Sequence, residues 1–550
     1  MLLNPSLIKP SMIKAMMLFT LFKMLDTHIT HCIIVCPIKS FLQANETESD
    51  NRGGRKMRKI SILFILSLAV VLFSSDNCFT QESVEHFKNL LEGQGFTVQE
   101  GSLYLFNPAD LFGNYILPSC FCNNADSPYA VYLIPEGPGQ VSPNKYPWTY
   151  KLKENEAIIY LGWTPPPMVY FSYQTFIAGR FYNDSFHRIF GNLGDTVNIS
   201  TINTGESIEE DREGTNFNAP TIIISTPDRN TDAVLRAEIA RAGFDVGIVN
   251  TEVLPSALLR LGLEHDDDEL TFLFRTAFFE NEADREFYTS DPPLVGYKEI
   301  LVKPPYQSNF RGWVFRVTPP EDLKSDPFPI PPLRVRATGD TSELELAKTM
   351  DRLREAILRE YEGLQFSELK SYRWFEESYH GIQTITDVFG ETRDTVYFRT
   401  DTFELSESGE DFAIVYGPIH SLTGKSIYSS FILYTGDIVK DLLPLQSRIM
   451  LGFLSVNSQM SEESKLGLKG SAKRFLPDDP NADLFYVWKI AKANPDNEDY
   501  CAVVPESNYE RITYNELFVA FRAYIDPKLA VSAAYEEILM DKVIYFSQEK

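Results

Sequence analysis

Apolar positions in this chain alternate more often than they recur every third or fourth residue. SLYLF at 102–106, YAVYLIP at 129–135, AIIYLGW at 157–163 and VYFSYQTF at 169–176 are short β-branched and aromatic runs set between turn signals, so each predicts a strand. The pattern changes at TIIISTPDRNTDAVLRAEIARAGFDVGIVN, residues 221–250. There Ile222 to Ile224 read as a buried strand, and Asn230 or Thr231 can cap a helix with Leu235, Ile239 and Ala242 on one face. Gly243 stops that helix and Val246 to Val249 begin another strand, which gives one βαβ-like unit.

The strongest helical periodicity lies at Thr341 to Tyr361. Leu346, Met350, Leu353, Ile357 and Tyr361 form the apolar stripe, Ser342 and Glu345 are spaced as a capping box, and Gly363 supplies the stop. A helix with one such stripe is expected to cover a sheet. That sheet is supplied by TVYFRTDTFEL at 395–405, FAIVYG at 412–417, IYSSFILY at 427–434, LFYVWKIA at 484–491, ELFVAFRAYI at 516–525 and KVIYF at 542–546. Runs at this spacing favour an antiparallel, sandwich-like arrangement. Between the two regions, TPPEDLKSDPFPIPPL at 318–333 carries six prolines and can be neither a helix nor a central strand. The expected fold class is therefore α+β: a β-rich domain at 81–317 containing the βαβ-like unit, a linker at 318–333, and a helix plus β-sandwich-like domain at 334–550.

The first 80 residues follow neither pattern. Arg55, Lys56, Arg58 and Lys59 precede an apolar run from Ile60 to Phe73 and then SSDNCFT, the build of a secretory signal peptide at 57–80. Its 14 residues fall short of the roughly 20 that span a bilayer, so a cleaved signal and no stable transmembrane anchor are expected. Such a signal belongs at the start of a chain, which makes residues 1–56 a start-site extension or a leader.

Without residues 1–80, which carry nine Lys/Arg and five Asp/Glu, the net charge of −25 becomes −29. So acidic a protein repels nucleic acid, and no nucleic-acid partner is expected. Of the six cysteines only Cys120, Cys122 and Cys501 follow the signal, and in an oxidising compartment the simplest arrangement is one disulfide from Cys501 to Cys120 or Cys122.

Few loops could carry chemistry. GPIHSLTGKS at 417–426 has the residues of a phosphate loop, but six residues separate its glycines and a strand, not a helix, follows Lys425. It reads as a hairpin loop that still gathers His420 and Lys425. TPDRNTD places Asp228 and Arg229 after a strand and before a helix, where α/β sheets hold ligands. Trp163, Tyr170, Phe171 and Tyr173 could stack on a sugar or peptide, although alternation assigns Phe171 and Tyr173 to the core. HDDDEL at 265–270 reads as a solvated turn. DDPNAD at 478–483 departs from an EF-hand at Leu484 and Ile490, leaving only a weak extracellular calcium site to consider. Asn183-Asp-Ser and Asn198-Ile-Ser are glycosylation acceptors where the host glycosylates such sequences.

No nucleophile elbow, zinc motif or dinucleotide fingerprint is present, so no cofactor is indicated. The expectation is a secreted or cell-envelope protein that binds a surface partner, glycan, peptide or small molecule. The alternative is a secreted hydrolase with its site between the two domains, using His420 as base, Lys425 or Arg229 as anion holder and Asp228 as orienter. An enzyme requires those side chains to converge; a binding protein does not.

Overall fold

The computed structural model describes residues 79–106, 123–126, 128–207, 214–289, 312–406, 409–435, 450–460, 462, 465–507 and 514–548. These belong to one compact unit. Residues 1–56, nearly all of the signal peptide, Cys120 and Cys122 lie outside the described residues.

The structure is a β-rich α+β protein. Ten strands form the first sheet: β1 (Thr97–Phe106), β2 (Tyr129–Leu133), β3 (Ala157–Trp163), β4 (Met168–Tyr182), β5 (Ser185–Asn192), β6 (Val197–Asn198), β7 (Pro220–Thr226), β8 (Val249–Val253), β9 (Glu269–Phe279) and β10 (Gly312–Thr318). Their order is β5-β4-β9-β2-β1-β10-β3-β7-β8, with β6 beside β4. Every pairing is antiparallel except β7 with β8.

This sheet curls. Leu103, Tyr132, Ile158, Phe171, Tyr173, Ile223, Phe272 and Val314, drawn from seven strands, pack in one apolar cluster inside the curve. The alternate residues of β3, β7 and β10, Ile159, Ile222, Ile224 and Phe315, face outward and are covered by α1 (Gln81–Gly93) and α2 (Arg229–Arg241) through Phe87, Leu91, Leu235 and Ile239. Burial on both faces explains the uninterrupted apolar residues of AIIYL in β3 and Ile222 to Ile224 in β7. Curling brings β8, at one end of the strand order, against β4 near the other: Thr175 Oγ1 on β4 donates to Glu252 on β8 at 2.7 Å. The sheet is thus an incompletely closed barrel whose seam is held by side chains rather than a backbone ladder.

The predicted βαβ unit is present as β7, α2 and β8, with two differences. Asp228 caps the helix, its Oδ1 accepting from Thr231 N at 2.7 Å, in place of Asn230 or Thr231. Val246–Ile248 is a 3₁₀ turn, so the second strand starts at Val249.

Eleven strands follow: β11 (Gln365–Leu369), β12 (Ser371–Arg373), β13 (Thr395–Thr400), β14 (Phe403–Glu404), β15 (Phe412–Pro418), β16 (Tyr428–Thr435), β17 (Leu451–Asn457), β18 (Phe485–Ala491), β19 (Cys501–Val503), β20 (Glu516–Tyr524) and β21 (Lys542–Ser547). They make a five-stranded sheet, β11-β21-β15-β18-β19, and a six-stranded one, β12-β13-β20-β16-β17 with β14 beside β20. Ala413, Val415, Trp488 and Val543 of the first meet Val396, Phe431, Val519 and Phe521 of the second in one core. The outward face of the five-stranded sheet, Ile414, Tyr416, Val487 and Ile544, is covered by Met350, Leu353 and Ile357 of α4 (Ala347–Glu360). Two short helices, α3 (Glu282–Thr289) and α5 (Ser378–Thr384), complete the described set.

The covering helix begins later than its sequence predicts. Ser342–Leu346 is a 3₁₀ turn, no side chain caps it, and Glu343 is buried instead of solvated. Of the proline-rich segment at 318–333, Thr318 ends β10; the rest contains no helix, and its only β-type pairing among the described residues is an isolated bridge, Pro327 to Asp228. Side chains from both sides of it share a core, with Tyr104, Phe106 and Trp148 in the cluster that also holds Val396 and Phe431. A buried polar knot adds to this joint: the Asp394 carboxylate accepts from Thr196 Oγ1 at 2.7 Å, Tyr170 OH at 2.9 Å and Asn198 Nδ2 at 3.0 Å. No helix among the described residues is long and apolar enough to cross a membrane.

Candidate functional site

The four sequence-nominated residues fall into two separate pairs, with no hydrogen bond or ion pair between them among the described residues. His420 lies in the β15–β16 loop and is 3% exposed. Its Nδ1–H faces both oxygens of Glu343 at 3.0 and 3.1 Å, and its Nε2–H donates to Asp541 at 3.2 Å. Asp541 also accepts from Tyr486 OH at 2.7 Å, and Glu343 from Leu539 N at 2.7 Å and from Thr423 Oγ1. Burial opposes the imidazolium, but the combined attraction and hydrogen bonds of the two carboxylates exceed it and hold the ring at about 10. A ring so charged, with both nitrogens occupied, has no lone pair to serve as a base near neutral pH.

Lys425, nearby, donates to Glu537 Oε2 at 3.1 Å and to the Asp340 carbonyl, and Glu537 takes Thr338 Oγ1 and Gly339 N as well. The hairpin loop therefore clamps the 338–343 and 537–541 segments together. Asp228 is equally committed: besides capping α2, it accepts from Ser325 Oγ at 2.9 Å and from Asp326 N. Arg229 pairs with Asp326 at 2.6 Å on the surface. Both pairs anchor chain segments, and their polar groups are used in doing so.

Other expectations resolve similarly. Phe171 and Tyr173 are core, while Tyr170 is fully buried against Asp394. HDDDEL is only partly a solvated turn, because Asp268 is buried in a two-point ion pair with Arg180, both contacts at 2.7 Å, and Glu269 opens β9. Asp479 and Asp483 pair with Arg352 and Lys473. Among the described residues no group of three or more His, Cys, Asp or Glu side chains is placed to hold a metal. Cys501 has no disulfide partner among the described residues, and its suggested partners, Cys120 and Cys122, lie outside them; burial pushes the Cys501 thiol up to about 11.

The cavity that stands out runs along the barrel seam. It measures about 360 Å³ and is walled by all five residues of β8, by Gln174 of β4, by the 193–203 segment and by Pro331 to Arg334 of the proline-rich strap. The strap is fixed on both flanks. Phe328 N bonds to Pro227 O at 2.8 Å, Arg334 N to Asp195 Oδ2 at 2.6 Å, and Arg393 ties Asp195 at 2.7 Å while reaching the Arg334 carbonyl. Pro329, Pro331 and Pro332 stiffen the span between.

Polar groups dominate its walls. Asn250 bridges to the backbone of Asn203, receiving from its N–H at 2.8 Å and donating to its carbonyl at 2.9 Å. Glu252 accepts from Thr175 N, Thr175 Oγ1 and Ser225 Oγ; burial pushes its carboxyl above the usual range, and these donors offset only part of that. Arg236 donates to Thr251 Oγ1 at 2.7 Å and pairs with Asp232 at 3.0 Å. Gln174 differs. It is 2% exposed and its Nε2 donates to Gly194 O at 2.8 Å, yet its Oε1 has no partner among the described residues. A buried amide oxygen left unpaired costs roughly 1–3 kcal/mol, so a donor entering this cavity would be favoured.

None of these residues was nominated from sequence. The available signal was polarity inside strands: Gln174 interrupts the apolar run of β4, and Asn250 and Glu252 sit in β8 alongside the Ile222 to Ile224 run of β7. No family model matches the chain, and no curated protein matches it. Among solved structures it is similar to an uncharacterized protein from Burkholderia cenocepacia, at 10% identity over 77% of each chain with a TM-score of 0.33, a likeness too slight to carry an argument.

Proposed function

We propose that this is a secreted or cell-envelope binding protein that takes a glycan, peptide or small-molecule ligand in the groove between β8 and β4. The observation that carries the reading is the unpartnered Gln174 oxygen, buried in the wall of a roomy polar cavity. The hydrolase alternative is less well supported, because His420, Lys425, Asp228 and Arg229 are each engaged in ion pairs or caps away from this cavity.

The test is a thermal-shift screen of the chain from residue 81 onward against monosaccharides, amino acids and short peptides, with Gln174→Leu alongside. A true ligand at 100 times its Kd should stabilise the wild type by about 2.7 kcal/mol. It should shift Gln174→Leu much less. Equal stabilisation of both proteins would move the binding site elsewhere.

A further inference from the structure

We infer that the occupant of this groove is an extended peptide that joins the sheet as an added strand beside β8, an inference that rests on the groove being the binding site. β8 ends the strand order, paired only with β7 among the described residues. In a parallel pair, alternate residues of an edge strand turn their N–H and C=O groups away from the neighbour, and here they turn toward the seam. All five β8 residues line the cavity, a length of about 16 Å at 3.3 Å per residue. The groove therefore follows the strand rather than meeting it at a point.

The opposite wall suits the same occupant. Pro331 and Pro332 have no N–H to offer, so the strap can border the edge without pairing to it. Gln174 Oε1, buried and unpartnered, is an acceptor placed for a peptide N–H. A glycan fits less well: no residue lining the cavity is aromatic, whereas sugar faces are usually held by aromatic stacking. Backbone pairing would supply affinity, and alternate side chains of the peptide would fall toward Arg236 on one side and Leu193 and Val197 on the other.

The experiment uses a positional-scanning library of acetylated pentapeptide amides, with two counterparts N-methylated at alternate amides, even or odd. Binding is measured by fluorescence competition, and its location by hydrogen exchange of residues 249–253. A strand added along one edge uses only every second amide. One methylation pattern should therefore weaken binding about tenfold or more and the other should spare it. Gln174→Leu, checked as folded by its far-UV circular dichroism, should also bind about tenfold more weakly. If both methylated libraries bind as well as the parent, strand addition is wrong. If monosaccharides or amino acids protect residues 249–253 and the parent peptides do not, the groove is a binding site and the peptide assignment fails. If no probe protects them, the groove reading fails as well.

Discussion

At the scale of single residues, His420 shows how a side chain that suggests catalysis can be a fastener. It joins the β15–β16 loop to Glu343 and Asp541, with both carboxylates almost fully buried. His420→Ala would leave two buried acids without their cation, and a loss of about 3–5 kcal/mol in urea unfolding is expected. The pH dependence follows from direction. The folded ring is raised from 6.5 to about 10, so its contribution is complete below about 6.5 and is lost as pH rises toward 10. Glu343 is lowered, burial notwithstanding, by His420 and its hydrogen bonds, so its contribution is present above 4.5 and lost as pH falls below it. Wild-type unfolding free energy should therefore decline between pH 6.5 and 10 while that of His420→Ala stays nearly level. An equal decline in both would assign the effect to other groups. The two glycosylation sequences also separate at this scale. Asn183 sits exposed in a turn with positive φ, while Asn198 is fully buried and bonded to Asp394 and the Ala530 carbonyl. If folded protein is offered to a glycosylating enzyme, mass spectrometry should find a glycan at Asn183 and none at Asn198.

At the scale of elements, the covering helix is held by packing more than by its ends. Leu353 and Ile357 are fully buried under the five-stranded sheet, and no side chain caps the N-terminus of α4. Leu353→Ala should cost about 2–5 kcal/mol. Ser342→Ala, at the expected capping box, should be nearly silent, and a reversed ranking would contradict the packing account. Asp228→Ala should cost about 0.5–2 kcal/mol from the lost cap and should also free the strap, seen as faster proteolysis near residue 325. Strands were legible where apolar residues run together: β3 and β15 are nearly unbroken, β7 carries Ile222 to Ile224, and β20 is interrupted only by Arg522 between Leu517 and Tyr524. β9 was missed since its charged Glu269 and Arg275 made ELTFLFRTAFF resemble a turn followed by a mixed segment, although both charges are buried by partners distant in sequence. The seam was illegible for a related reason. It depends on β4 meeting β8, and no local pattern reports how far a sheet curls.

At the scale of the whole molecule, a seam closed by side chains should be the weakest line in the first sheet. Amides of β8 that face the cavity are expected to exchange with deuterium faster than those of β3 or β10, which are paired on both sides. Comparable protection in all three would mean the barrel is closed more tightly than its strand order indicates. Export is a separate matter of address: a reporter fused after residues 57–80 should leave the cytoplasm with or without residues 1–56.

The strand order of the five-stranded sheet has a further consequence, in time rather than space. β21 is the last described strand, yet it lies between β11 and β15, and its pairing of Gln365 with Ser547 joins residues 182 positions apart (547 − 365). During synthesis β11 and β15 emerge long before the strand that separates them. The sandwich cannot be assembled in the order in which the ribosome delivers it, and pairings this distant fold slowly. On the secretory reading proposed above, such a delay would hold the chain in an unfolded, transportable state during passage.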